Sequence, residues 1–200
     1  EELRIKSLYL GLSDGARTNE LRRASGNAIS NEQIWQAYEL GEDKAEEMTD
    51  DLEETLGKNG YPAEQARFNL IWLLDDFSGS GNTYIRYDAN KSAFKGKIRK
   101  IYERLHRGDL VDPAHYEVFL LLYVATRQAV DHIEYWSERF TSEFGYKPLQ
   151  IRVLCPIEPD IALTQNIPSP LGSLLANTAY YDVRATDKHI AVGGTTDARL

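Results

Sequence analysis

The sequence predicts an α/β protein built on a Rossmann-like parallel sheet with helices on both faces, followed by an irregular C-terminal segment. Three observations predict it. Apolar runs of strand length recur along the chain, and stretches of helical period separate them. The runs at 70–74 and 118–124 are continuously apolar, which suits central strands buried on both sides, as in parallel sheets. Beyond Pro156 prolines accumulate and the periodicity fades.

Taken in order, residues 5–12 form the first strand and stop at Ser13-Asp14-Gly15. Leu21 opens a short polar helix, and 33–40 reads as a strand of mixed pattern carrying Ile34, Trp35, Ala37 and Tyr38. In 42–56 the residues Ala45, Met48, Leu52 and Leu56 recur at helical spacing, with acids on the other faces. The breaker Asn59-Gly60-Tyr61-Pro62 ends that helix, and the strand 70–74 stops at Asp75-Asp76. After a Gly-rich turn, Phe94, Ile98, Ile101, Tyr102 and Leu105 mark the next helix, which looks interrupted by an insertion around Tyr87-Asp88-Ala89-Asn90. The strand 118–124, the helix 126–144 and the strand 149–154 complete the pattern. The expectation is a single domain over 1–200, with 157–200 as a flap or an incomplete extension.

Composition narrows the function. Thirty-one acids against 23 Lys and Arg give a net charge of −8, which excludes a global field for gripping nucleic-acid backbones but permits a local basic patch. Such a patch is offered by Lys91, Lys95, Lys97, Arg99, Lys100, Arg104 and Arg107, which also read as a solvated helix face. The acidic helix 42–56 has the same two readings, a dock for a basic partner or a solvated face. One cysteine, Cys155, excludes an internal disulfide and is expected to be buried. His106, His115, His132 and His189 are scattered without metal-ligand spacing. No apolar run reaches about 18 residues, so no membrane helix is expected. The N-terminus Glu1-Glu2-Leu3-Arg4 lacks a signal-peptide pattern. A cytoplasmic protein, numbered from inside a longer chain, is expected.

The chemistry concentrates at Asp75-Asp76-Phe77-Ser78-Gly79-Ser80-Gly81-Asn82-Thr83. Two carboxylates at a strand end can accept hydrogen bonds from vicinal hydroxyls. Gly79 and Gly81 allow close backbone approach. N–H groups at an expected helix start, with the Ser80 and Thr83 hydroxyls, suit a phosphate dianion. Together these describe a ribose-5-phosphate pocket. Rival motifs fail on residues: Asn82 stands where a Walker loop needs Lys, Tyr84 where the dinucleotide fingerprint needs Gly, and the spacing is wrong for a nucleophile elbow.

The segment resembles the ribose-phosphate signature of type I phosphoribosyltransferases. By that resemblance Asp75 and Asp76 face the ribose hydroxyls, share Mg²⁺ and serve catalysis, with Asp76 preferred as acid/base. Gly79, Ser80, Gly81, Asn82 and Thr83 would hold the 5-phosphate. Upstream, Ser13, Asp14, Gly15, Ala16 and Arg17 match the family's pyrophosphate loop, with Arg17 as the cation. The same residues also read as an ordinary turn with Ser13 as a helix N-cap. Thr126 and Arg127 end the next strand, where Arg127 reads first as a solvated helix-start residue.

More broadly, Leu12 to Arg17, Ile29 to Gln33, Asp75 to Thr83, Phe94 to Ile98 and Tyr123 to Thr126 resemble the divergent phosphoribosyltransferase-like proteins of bacterial conflict systems, some at retron loci. That resemblance implies binding of phosphoribosyl pyrophosphate or a nucleotide, transfer to a nitrogen acceptor, and an effector or accessory role beside protein partners in anti-phage defence. The alternative is a non-catalytic ligand-sensing module in a nucleic-acid-containing defence complex. The acidic helix stands where ordinary members often carry a flexible hairpin, and no base-recognising hood can be named. The acceptor, the partners and the oligomeric state are not written in the sequence.

Overall fold

The computed structural model describes residues 1–39, 41–64 and 66–158, with Pro170 and Ser173. The chain divides into two units, Glu1–Pro156 and Ile157–Leu200. The expected flap over 157–200 therefore falls almost entirely outside the described residues.

The first unit contains a five-stranded sheet, a separate hairpin and five helices among the described residues. A single helical turn, α1 (Glu2–Ile5), precedes β1 (Ser7–Gly11). The first apolar run is thus shorter as a strand than expected, because Ile5 closes that turn and is buried there. A 3-10 turn at Asp14–Ala16 leads into α2 (Thr18–Ala24), which starts before Leu21 because Arg17 takes a left-handed conformation and sets the helix off. β2 (Ile34–Gln36) is brief, and its expected continuation coils into a 3-10 turn at Ala37–Glu39. α3 (Glu42–Lys58) buries Ala45, Met48, Leu52 and Leu56, as the spacing predicts.

β3 (Leu70–Ser78) does not stop at the acids. It continues because β6 (Glu117–Thr126) is long enough to pair with it through Asp75↔Leu122, Phe77↔Val124 and Ser78↔Ala125. Between them lie the antiparallel hairpin β4 (Arg86–Asp88) and β5 (Ala93–Lys95), then α4 (Lys97–Arg107). The hairpin occupies the interval around residues 87–90 where the sequence breaks the helical pattern, and it places Phe94 in a strand ahead of the helix. α5 (Arg127–Phe144) opens with the Thr126 hydroxyl accepting from the Ala129 N–H at 3.0 Å and closes at Gly145 in the left-handed region. β7 (Leu149–Ile157) runs through Pro156.

The strand order is β2-β1-β3-β6-β7, with β1–β2, β1–β3 and β3–β6 all parallel. This is a Rossmann-like α/β fold, a parallel sheet flanked by helices. Leu8 and Leu10 of β1, Ile71 and Leu73 of β3, and Val118, Leu120 and Leu122 of β6 pack with α3, α4 and α5 in one core. The alternate positions carry Tyr9, Trp72 and Phe119, stacked across three strands at 6.5 and 4.5 Å between ring centroids. Among the described residues no helix is long and apolar enough to cross a membrane.

Candidate functional site

The order of the strands decides where a site can form. From β1 the chain passes to β2 on one side, then returns to lay β3 on the other, so β1 and β3 flank a topological switch point. Ligands of open α/β sheets bind at the carboxyl ends of strands at such a switch. Both loops singled out in the sequence leave from there. The Leu12 N–H donates to the Leu74 carbonyl at 2.9 Å, tying the first loop to β3.

Asp75 is only 2% exposed, and its four acceptor positions are all taken. The Ser13 hydroxyl and the Asp76 N–H (3.2 Å) donate to Oδ1; the Tyr84 hydroxyl (2.8 Å) and the Lys97 ammonium (3.0 Å) donate to Oδ2. Burial alone would raise its pKa, but the donors Ser13, Tyr84 and Lys97 outweigh it and hold the carboxyl below the usual range. Here the oxygens that the sequence reading gave to a sugar or a metal meet protein donors instead. Its lone pairs are spent on the protein, and it joins the first loop, β3, the following turn and the start of α4.

Asp76 points the other way, as alternation along a strand requires. It is exposed, and its Oδ1 accepts from the Phe77 N–H at 2.9 Å. Its Oδ2 lies so close over the first loop that a Cβ on Gly15 would fall 2.1 Å from it. The structure thus brings Asp76 and the Ser13–Arg17 loop together. Within that loop Ser13 stands at the N-cap position of the 3-10 turn with extended backbone, but its hydroxyl goes to Asp75 and makes no side-chain cap. Ala16 is buried, and its carbonyl accepts from the Tyr123 hydroxyl at 2.5 Å. Asp14 and Arg17 are exposed at the rim.

The turn over 79–83 is not a helix start, because the hairpin intervenes and α4 begins only at Lys97. The turn is instead pinned from behind. Gly79 accepts from the Thr126 hydroxyl at 2.6 Å, and the Gly81 carbonyl accepts from the Tyr84 N–H at 3.0 Å. Gly81 has φ +75° and lies against α5, where a Cβ would sit 2.8 Å from the Ala129 carbonyl. These contacts consume carbonyls. Among the described residues the N–H groups of Gly79, Ser80, Gly81, Asn82 and Thr83 have no acceptor, and the buried Oδ1 of Asn82 has no donor. Successive N–H groups beside a left-handed glycine are the backbone feature that anion-binding nests share.

Two side chains of this site have other readings in the sequence, Lys97 as part of the basic stretch and Tyr84 as the residue that breaks the dinucleotide fingerprint. A lysine at the first position of a helix opposes the helix dipole, and that is the signal that could have found it. Gly96 delivers it: at φ +123° its missing Cβ would lie 2.3 Å from the Tyr84 carbonyl, so the chain crosses directly over Tyr84. The Tyr84 hydroxyl is buried beside Asp75, which pushes its pKa well up and keeps it a donor.

Other expected features resolve differently. Lys95, Lys97, Arg99 and Arg104 are bound to Asp88, Asp75, Glu103 and the Ala37 carbonyl, so the basic stretch keeps only Lys91, Lys100 and Arg107 free among the described residues. Arg127 pairs with Asp131 at 3.0 Å on the surface, the solvated reading. Cys155 is exposed, not buried, because it lies near the end of β7, the last strand of the sheet among the described residues. A cavity of about 120 Å³, lined by Arg4, Met48, Asp51 and Phe68, sits at the opposite, amino end of the strands and includes none of the candidate residues. It is too small for a nucleotide-sized ligand. Compared with known proteins, the chain matches no family model, no curated protein and no solved structure.

Proposed function

We propose that the carboxyl edge of the sheet binds a phosphorylated ribose, as phosphoribosyl pyrophosphate or a nucleotide, together with Mg²⁺. The observation that carries this reading is the turn at 79–83, whose N–H groups lack acceptors among the described residues and stand beside the Ser80 and Thr83 hydroxyls. A phosphate dianion accepts from such a set and cannot be replaced there by an apolar group. Asp76, exposed at the end of the same strand, meets the sugar hydroxyls. The Asp14–Arg17 rim receives the pyrophosphate, with Arg17 as its counter-charge.

Among the described residues no cluster of three His, Cys, Asp or Glu side chains could hold a metal by itself. Mg²⁺ would be carried in by the ligand, since this ion takes one or two carboxylates and completes its shell with phosphates and water. Asp76 and Asp14 are the exposed carboxylates at this edge that would meet it. When bound, the ion supplies neutralisation of the charge on the leaving pyrophosphate. In the transfer, the C1–oxygen bond to pyrophosphate breaks, the electron pair leaves with pyrophosphate, and a nitrogen acceptor forms the new bond to C1. Asp76 takes the proton that the nitrogen sheds.

The resemblance to conflict-system phosphoribosyltransferase-like proteins supports an effector or accessory role in bacterial anti-phage defence. A second reading, a ligand-sensing module without turnover, is favoured by the engagement of Asp75, which removes one of the two acids from chemistry. Calorimetry tests the shared part: phosphoribosyl pyrophosphate with Mg²⁺ should bind the wild type, and Asp76→Asn should weaken it at least tenfold. Absence of heat at millimolar ligand overturns both readings. Pyrophosphate release in the presence of candidate bases, lost in Asp76→Asn, separates the enzyme from the sensor.

A further inference from the structure

We propose that Lys97 is a positioning residue that withdraws Asp75 from the ligand, leaving Asp76 as the sole carboxylate on the sugar, so that the site accepts 2-deoxyribose 5-phosphates nearly as well as ribose 5-phosphates. The inference rests on the phosphorylated-sugar reading above and deepens it to the class of sugar.

The geometry runs from the backbone outward. Gly96 crosses over Tyr84, and the Lys97 N–H donates to the Thr83 carbonyl at 3.1 Å, which fixes the first turn of α4 against the phosphate turn. The Lys97 ammonium then lies 5.3 Å from the centre of the Tyr84 ring and 3.0 Å from Asp75 Oδ2. Its side chain is 35% exposed, whereas that of Asp75 is 3% exposed, so the lysine closes the solvent side of the acid. With Ser13, Tyr84 and the Asp76 N–H already in place, no acceptor position of Asp75 is left for a sugar hydroxyl.

Discrimination between ribose and 2-deoxyribose needs a buried polar group that the missing hydroxyl would leave unpaired. Asp75 cannot supply that penalty, because its partners are protein groups that stay in place whichever sugar binds. Asp76 cannot supply it either, because it is exposed and water replaces a lost hydroxyl there. A single wetted carboxylate therefore holds the sugar loosely with respect to its 2-position, and affinity comes from the phosphate turn.

The test is calorimetric titration of the protein with ribose 5-phosphate, 2-deoxyribose 5-phosphate and inorganic phosphate, alongside unfolding of Lys97→Met, Asp75→Asn and the double variant. The expected result is binding of the two sugar phosphates within about fivefold of each other. Lys97→Met alone should be destabilised, with much of that loss recovered by adding Asp75→Asn. It should also prefer ribose 5-phosphate over the deoxy sugar more strongly than the wild type does, an unchanged ratio refuting the positioning role. Discrimination above about thirtyfold against the deoxy sugar overturns the proposal while leaving the phosphate reading intact. Failure of all three ligands to bind overturns that reading and the sugar class with it. If Lys97→Met and Asp75→Asn act additively on stability, the positioning role is refuted whatever the ligands do. The same holds if Asp75→Asn abolishes binding without changing stability.

Discussion

Asp75 and the turn that begins four residues later are neighbours in sequence and opposites in hydrogen-bond accounting. Around Asp75 every acceptor position meets a protein donor, and the group is buried. Around 79–83 the carbonyls are held from behind, while the N–H groups meet no acceptor among the described residues. Buried polar groups are satisfied as a rule, so the saturated Asp75 reports structure, while the N–H groups of the turn, mostly in partly exposed residues, are the ones left for solvent or a ligand to meet. The difference separates what builds this site from what it can bind.

The largest effect is expected where the saturated side is broken. Asp75→Ala removes the shared partner of Ser13, Tyr84 and Lys97 and should cost about 3 kcal/mol in denaturant unfolding. A change below about 0.5 kcal/mol would mean that the four contacts are incidental. The same carboxylate carries a pH signature. Its pKa is lowered in the folded chain, because its donors outweigh its burial, so its contribution is present above the unfolded value and lost as pH falls through the folded one. Wild-type stability should therefore drop on acidification below about pH 4, and Asp75→Asn should flatten that part of the profile. An identical slope in the variant would contradict the assignment.

Next in size is Gly96→Ala. A side chain at φ +123°, built against the Tyr84 carbonyl, should destabilise by about 2 kcal/mol and move Lys97 away from Asp75. A neutral effect would show that α4 can shift without disturbing the acid. The smallest effect on folding belongs to the open side. Ser80→Ala should leave stability within about 0.5 kcal/mol of wild type while weakening phosphate-ligand binding about tenfold. If stability fell and binding did not, the turn would belong with Asp75 as scaffold.

The legibility of these features differs for physical reasons. The parallel sheet was readable because continuous apolar runs such as residues 70–74 have few other solutions. The helix 42–56 was readable from its period. The extension of β3 through Asp75 and Asp76 was not, since it depends on β6 being long enough to pair there. The two carboxylates looked equivalent in sequence, yet alternation along the strand buries one and exposes the other. Lys97 reaches Asp75 across 22 positions only because Gly96 permits a crossing that few residues could make. Tertiary partners of that kind leave little local trace. The exposure of Cys155 has no local signal either, since it follows from strand order, which places β7 at the edge among the described residues.

Amide resonances report the phosphate turn most directly. In a proton–nitrogen correlation titration with ribose 5-phosphate, the N–H signals of Gly79, Ser80, Gly81, Asn82 and Thr83 should shift together and saturate, with Asp76 following and the Asp51 region at the far end of the strands unmoved. Saturating shifts confined to other parts of the chain, with those five amides still, would contradict it.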